Sequence, residues 1–346
     1  MAPRAFITGL SGLTITANER AFLKEAQPWG LIIFQRNVKT PQQLAELAQS
    51  FRDAVGWEAP ILVDQEGGRV QRLGPPHWPK YPPGAAYGAL FDREKAVGLA
   101  AARLGGHLIA ADLGILGIDV DCLPLADVPA PGADPVIGDR AYGTEPAKVA
   151  AIAGAIAQGL LAGGVLPVLK HLPGHGRASA DSHHQLPVVD TDRATLEATD
   201  FAAFRPLAGL PIGMTAHVVF SAIDPDAPAT TSVTIVREVI RRFIGFQGLL
   251  MSDDVSMKAL SGTIAERSRA SFAAGCDVVL HCNGDLNEMA AVAAEAPALE
   301  GEVAKRAKMA LAQRRAPEEL DIDAARKIFT QMVAAEPPPS QRKTGS

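Results

Sequence analysis

The sequence predicts a single-domain α/β protein, a (β/α)8 barrel with extra C-terminal helices, and three observations carry that expectation. Short apolar runs recur eight times along the 346 residues, each followed by polar residues and then a helical pattern. Several runs are apolar throughout rather than alternating, as expected of parallel strands covered on both faces. The count of eight strands alternating with helices points to closure into a barrel. An open doubly wound sheet is the competing arrangement, but no Gly-rich dinucleotide fingerprint follows the first run.

In chain order, the first run is Ala5–Thr8, after which Asn18 is placed to cap a helix over Glu19–Ala26. The second run, Gly30–Phe34, leads to Thr40-Pro41, a cap and an N1 proline for Gln42–Val55. Pro60–Val63 and Asp119–Pro124 are the third and fourth runs. Thr144-Glu145-Pro146 opens an Ala-rich helix over Ala147–Ala162, stopped by Gly163-Gly164 before the fifth run, Val165–Leu169. Pro211–Thr215 is the sixth. Ser232 precedes a helix over Val233–Ile244, which Gly245 ends before the seventh run, Gly248–Met251. Asp277–Leu280 is the eighth. Helical patterns at Gly301–Arg314 and Ile322–Ala335 are expected to pack against the barrel, so residues 1–335 form the barrel domain. The remainder, 336–346, holds Pro-Pro-Pro followed by polar or small residues and reads as a disordered tail.

Composition narrows the function classes. With 47% hydrophobic residues, few aromatics and mean hydropathy near zero, the chain has the make-up of a soluble globular protein. Its net charge of −5 and the absence of a Lys/Arg cluster argue against nucleic acid as a partner. The N-terminus MAPRAFITGLSGLTIT is a poor signal peptide, and no apolar run reaches the roughly 18 residues that a membrane helix requires. Cys122, Cys276 and Cys282 form no CxxC, and such a sparse, odd count fits a reducing compartment. The expectation is a cytoplasmic monomer that engages no membrane, metal or cofactor.

Residues capable of chemistry follow the strands repeatedly: Asp64-Gln-Glu66-Gly-Gly-Arg69 with Arg72 after the third, Lys170 and His171 after the fifth, His217 after the sixth, and Asp253-Asp254 after the seventh. The C-terminal mouth of a barrel is where βα loops converge on rigid strand ends. A single such residue is as readily a helix cap or an ion pair, but five or six on one rim are hard to explain that way. Asp181 and His183, two apart in a Gly- and Pro-containing loop, can meet across a bend, so that the carboxylate orients the imidazole for proton transfer. His175 and His184 in the same loop are as readily solvated side chains. Asp253 ends an apolar strand, where a carboxylate is expensive to bury unless paired, and it is the favoured reactive group. Asp254 alternates to the other face and is read as a cap of the following helix. Arg140 and Arg72 offer forked donors for sugar hydroxyls or carboxylates, with a salt bridge to Asp139 or Glu66 as the plain alternative.

Three long motifs in order, Asp64-Gln-Glu-Gly-Gly-Arg-Val-Gln-Arg72, Lys170-His-Leu-Pro-Gly-His-Gly176 with Asp181-Ser-His183, and Ser252-Asp-Asp-Val-Ser-Met257, resemble glycoside hydrolase family 3, and are most similar to its bacterial β-N-acetylhexosaminidase branch. Weaker matches extend from Gly30–Phe34 through Ala216-His217 to Ala274–Asp277. The resemblance implies a retaining mechanism, with Asp253 as nucleophile, His183 as acid/base and Asp181 as its dyad partner. Such a dyad departs from the usual pair of carboxylates. It further implies that Asp64, Arg72, Arg140, Lys170 and His171 hold N-acetylglucosamine. The implied substrate is a muropeptide, N-acetylglucosamine β-linked to anhydro-N-acetylmuramic acid, met in peptidoglycan recycling. Two departures stand in the loop: Leu172 where the family carries an aromatic, and the additional His184.

Three other readings remain open at this point. His171, His175, His183, His184 and Asp253 are zinc-ligand types, but no strand carries a closely spaced His pair. A β-glucosidase of the same family is a second, although its larger members complete the site with another domain. The third is an inactive sugar-binding relative, which intact Asp253, His183 and Asp181 argue against.

Overall fold

A computed structural model describes residues 2–182 and 184–334. Its centre is a closed parallel barrel of eight strands: β1 (Arg4–Thr8), β2 (Pro28–Ile33), β3 (Ile61–Val63), β4 (Val120–Asp121), β5 (Leu166–Leu172), β6 (Ile212–Thr215), β7 (Leu249–Asp254) and β8 (Val278–His281). Each strand pairs with its neighbours in sequence, and β1 closes the ring against β8 with Phe6 opposite Val279 and Thr8 opposite His281.

All eight predicted runs are strands, with informative differences at their ends. β4 is shorter than expected because the Leu123 amide turns back to the Asp121 carbonyl and Pro124 has no amide to donate. β5 and β7 run longer, so Lys170, His171 and Asp253 lie on strands rather than in the loops after them.

Alternation divides each strand between two cores. Ile7, Leu62, Val120, Val168, Ile212, Met251 and Leu280 belong to the barrel interior. Their neighbours Val63, Leu169 and Leu250 instead join the outer layer against the helices. The helix over Gly301–Leu311 closes the lower end, with Ala307 and Ala310 in the interior cluster. The helix over Ile322–Ala334 packs Phe329 against Tyr81 and Tyr87.

The first helix spans Ala17–Ala26. Thr16 rather than Asn18 caps it, in a capping box with Glu19. Thr40 caps Pro41–Val55 as the sequence predicts. Ser232 accepts from the Ile235 amide, and the segment to Ile244 is wound as a π-helix ending at left-handed Gly245. One helix, Lys95–Gly114, is by length and composition apolar enough to cross a membrane, against the sequence-based count of such runs. Here 61% of that stretch is buried inside the fold. The predicted tail, 336–346, and Ala335 lie outside the described residues.

Candidate active site

The cavity at the C-terminal mouth, about 400 Å³, is the top layer of the barrel's own interior rows. Phe34, Asp64, Lys170, Met214, Asp253 and Cys282 line it, and each stands two residues beyond an inward core residue: Ile32, Leu62, Val168, Ile212, Met251 and Leu280. The period of two that fills the core below therefore aims Asp64, Lys170 and Asp253 into the mouth above, among Phe34, Met214 and Cys282.

A buried network of charge covers one wall. Lys170 Nζ lies 3.0 Å from Asp64 Oδ1 and 2.7 Å from Glu66 Oε1. Arg72 meets Asp64 Oδ2 at 2.8 Å. Arg140 grips Glu66 with two parallel bonds, both 2.8 Å. Burial drives the Asp64 carboxyl upward, but Lys170 and Arg72 outweigh it and hold the group well below its ordinary value. Glu66 is lowered likewise, with burial opposed by Lys170 and Arg140. Three cations facing two carboxylates leave the wall with one positive charge and donors turned to the cavity. At the rim, Arg69 pairs with Asp139 at 3.3 Å.

Beside this wall, Asp127 accepts from the His171 ring at Nδ1 (2.8 Å) and from the His175 amide (2.7 Å). Burial raises its carboxyl, yet His171 and His175 hold it down to about 2. The contact leaves His171 Nε2 for a ligand. His175 is buried rather than solvated, with Nε2 3.0 Å from Ser182 Oγ. Burial and neighbouring His171 push it down to about 4, so it is neutral near pH 7. Asp121 is buried at the foot of the network, and burial lifts its carboxyl well above the usual range.

Asp253 reaches the cavity from the end of β7. Asp254 caps no helix, contrary to expectation: its carboxylate accepts from the Ser256 and Cys282 amides and the Ser256 hydroxyl, bracing the turn. Thr263 caps the helix Ile264–Ala274 instead. His217 is buried, bonded to Thr230 and to the Asp254 carbonyl, so it supports the site from behind. Asp181 and Ser182 line the same cavity as Asp253. His184 is exposed, with Nε2 3.9 Å from Asp181 Oδ2. His183, the expected partner of Asp181, lies outside the described residues.

The structure thus brings Asp64, Arg72, Arg140, Lys170, His171, Asp181 and Asp253 to one cavity. Reading the sequence missed two members. Glu66 sat inside the quoted motif but was weighed merely as a salt-bridge partner for an arginine, Arg140 or Arg72. Asp127 lies six residues past β4, in a segment read as strand end and loop, and its signal was a carboxylate following the Pro124 break. Among the described residues, no three His, Cys, Asp or Glu side chains are grouped to hold a metal ion.

Comparison with known proteins places the chain in a family. Residues 6–316 match the family model described as glycosyl hydrolase family 3 N terminal domain. A β-hexosaminidase of Alkalilimnicola ehrlichii is 39% identical over 279 residues, 80% of this chain and 79% of the relative. One of Chromobacterium violaceum is 37% identical over 301 residues, 86% and 84% of the two chains. Among solved structures, NagZ from Neisseria gonorrhoeae in complex with N-trifluoroacetyl-D-glucosamine has a TM-score of 0.87 at 30% identity, over 97% of this chain and 99% of that one. A β-N-acetylhexosaminidase from Beutenbergia cavernae follows with a TM-score of 0.74 at 28% identity, covering 95% of each chain. With the family model spanning nearly the whole barrel and relatives this similar along most of their length, the chain belongs to glycosyl hydrolase family 3 and is a glycoside hydrolase.

Proposed function

We propose that the protein is a retaining exo-β-N-acetylglucosaminidase acting on terminal β-linked N-acetylglucosamine of muropeptides in the cytoplasm. The observation that carries this reading is the placement of Asp253 in one small cavity with the Asp64–Arg72–Lys170–Arg140–Glu66 network and His171. Its volume, about 400 Å³, lies toward the small end of the roughly 300–1,000 Å³ usual for ligand sites, which favours a single terminal sugar ring. The β-hexosaminidase names of the relatives support the N-acetylated sugar.

In the first step an Asp253 oxygen attacks the anomeric carbon, the bond from that carbon to the leaving oxygen breaks, and His183 gives that oxygen its proton. In the second, water attacks the same carbon, its proton passes to His183, and Asp253 departs as carboxylate. Asp181 orients His183 and stabilises it when charged. Arg72, Lys170, Arg140 and His171 offer donors, and Asp64 an acceptor, for ring hydroxyls.

Trapping with a 2-fluoro or 5-fluoro sugar, then mass spectrometry of the labelled peptide, tests the reading. The label is expected on Asp253, and a label on another side chain rejects the assignment. Hydrolysis of nitrophenyl N-acetylglucosaminide far above nitrophenyl glucoside is expected in parallel, and the reverse order rejects the substrate. Activity is expected to survive dialysis against EDTA. Its loss, restored by added zinc, would favour metal-dependent hydrolysis.

A further inference from the structure

Behind the cavity, three fully buried polar side chains, Thr215, His217 and Thr230, form a continuous hydrogen-bonded chain around the end of β7. The Asp253 amide donates to Thr215 Oγ1 at 3.3 Å. The Thr215 and Thr230 hydroxyl oxygens are 2.8 Å apart. Thr230 Oγ1 is 2.7 Å from His217 Nδ1, and His217 Nε2 is 3.0 Å from the Asp254 carbonyl. Thr230 Oγ1 also lies 3.1 Å from the Ala216 carbonyl.

Counting protons orients the chain. The Asp254 carbonyl can accept and never donate, so His217 Nε2 carries a hydrogen. One proton must lie between Nδ1 and Thr230. Were it on Nδ1, His217 would be an imidazolium with no carboxylate bonded to its ring, in a site closed to water, which is expensive. The neutral ring removes that expense: the one Thr230 hydrogen is directed to Nδ1 at 2.7 Å and shared with the Ala216 carbonyl, which can only accept. Thr230 then has no second hydrogen, so the Thr215 hydroxyl donates to Thr230 while accepting from the Asp253 amide. The chain runs one way, from the N–H of Asp253 to the C=O of Asp254.

We propose that Thr230 is a positioning residue for Asp253. From the middle of this chain it holds the amide of the nucleophile and the carbonyl of the residue after it, and so fixes where the carboxylate points. The inference rests on Asp253 being the nucleophile. Misplacement of a reacting group by about 1 Å lowers a rate about 100-fold.

Thr230→Val keeps the shape and removes the hydroxyl, whereas Thr230→Ser keeps the hydroxyl. With nitrophenyl N-acetylglucosaminide, Thr230→Val is expected to lower kcat about 10- to 100-fold with KM within about two-fold, and Thr230→Ser to stay within about three-fold of wild type. Folding is checked by the thermal midpoint and by calorimetric binding of N-acetylglucosamine. A folded Thr230→Val enzyme with kcat within two-fold of wild type overturns the proposal, as does a serine variant as slow as the valine. Should Thr230→Val fail to fold, His217→Gln and His217→Leu put the same question. Glutamine offers a donor for Asp254 and an acceptor for Thr230, and is expected to keep at least about ten times the kcat of leucine; equal values overturn the proposal. The fluoro-sugar label on wild-type enzyme separates the two failures. A label on Asp253 with an unimpaired valine variant rejects the role of Thr230 alone, and a label elsewhere rejects the nucleophile.

Discussion

Lys170 is wedged between Asp64 and Glu66 and is the cation that bridges the two carboxylates. Arg72 and Arg140 each serve one of the two, so Lys170→Met leaves like charges facing across the gap. Breaking a buried pair by deleting one partner costs about 3–5 kcal/mol, a loss that urea unfolding will read, together with a sharply raised KM. Asp121 makes the opposite case. Its raised carboxyl keeps a proton that the unfolded chain releases at about pH 4, so its contribution is full below about pH 4 and declines as pH rises. Asp121→Asn is therefore expected to raise the melting temperature at pH 8 and to leave it unchanged at pH 4; a lower midpoint at pH 8 would refute the protonated assignment. Asp127→Asn weakens the bond that orients His171, and kcat/KM is expected to fall about 10- to 100-fold, in line with about 1.5–3 kcal/mol for a hydrogen bond to a charged group. These partnerships were half legible. Residue type and position after a strand marked Asp64, Lys170 and Asp253, but which cation meets which carboxylate depends on contacts between residues up to 106 apart in sequence.

At the scale of elements, the loop carrying Arg140 is set by a helix distant from it in sequence. The helix over Gly84–Arg93 presents Gly84 and Gly88 one turn apart, and the backbone of residues 140–142 lies directly on them. A Cβ on Gly84 would stand 2.0 Å from the Arg140 carbonyl oxygen, and one on Gly88 2.1 Å from that of Tyr142. Gly84→Ala must push this loop outward and take Arg140 from Glu66. The expected result is a lower melting temperature and a KM raised at least about ten-fold, measurable by steady-state kinetics. Strands were legible because burial on both faces leaves little choice of residue. Their ends were less so, since β5 and β7 continue through polar residues whose partners lie in the cavity. The cap at Thr16 was missed because Asn18 also has the side chain of a cap, and the choice is made by Glu19 reaching back to Thr16. The π-winding of Ile235–Ile244 leaves no trace in an apolar period near 3.6.

For the molecule as a whole, the mouth's electrostatics set its tolerance of acid. Asp64, Glu66 and Asp127 all have folded values below their unfolded ones. Their stabilisation is present above about pH 4 and is lost as pH falls through the folded values, near 2 for Asp127. Urea midpoints are expected to drop steeply as pH falls below about 4; a midpoint independent of pH from about 4 down to about 2 would contradict this arrangement. Eight-fold alternation made the barrel legible from the sequence, while its lower closure was not. Ala307 and Ala310 enter the interior from a helix whose pattern indicated a neighbouring element, not a plug.

The seam of the ring has a temporal consequence. β1 finds its second neighbour in β8, and the Pro3 carbonyl and Ala5 amide bond to Leu299 and Pro297. During synthesis, the first strand must therefore wait with one edge open until nearly three hundred residues have left the ribosome. A nascent chain released after residue 276 would carry Asp253 and the whole of β7, yet have no partner to close that edge. Such a fragment is expected to be inactive and bound by chaperones, whereas release after the plug helix permits the ring to shut.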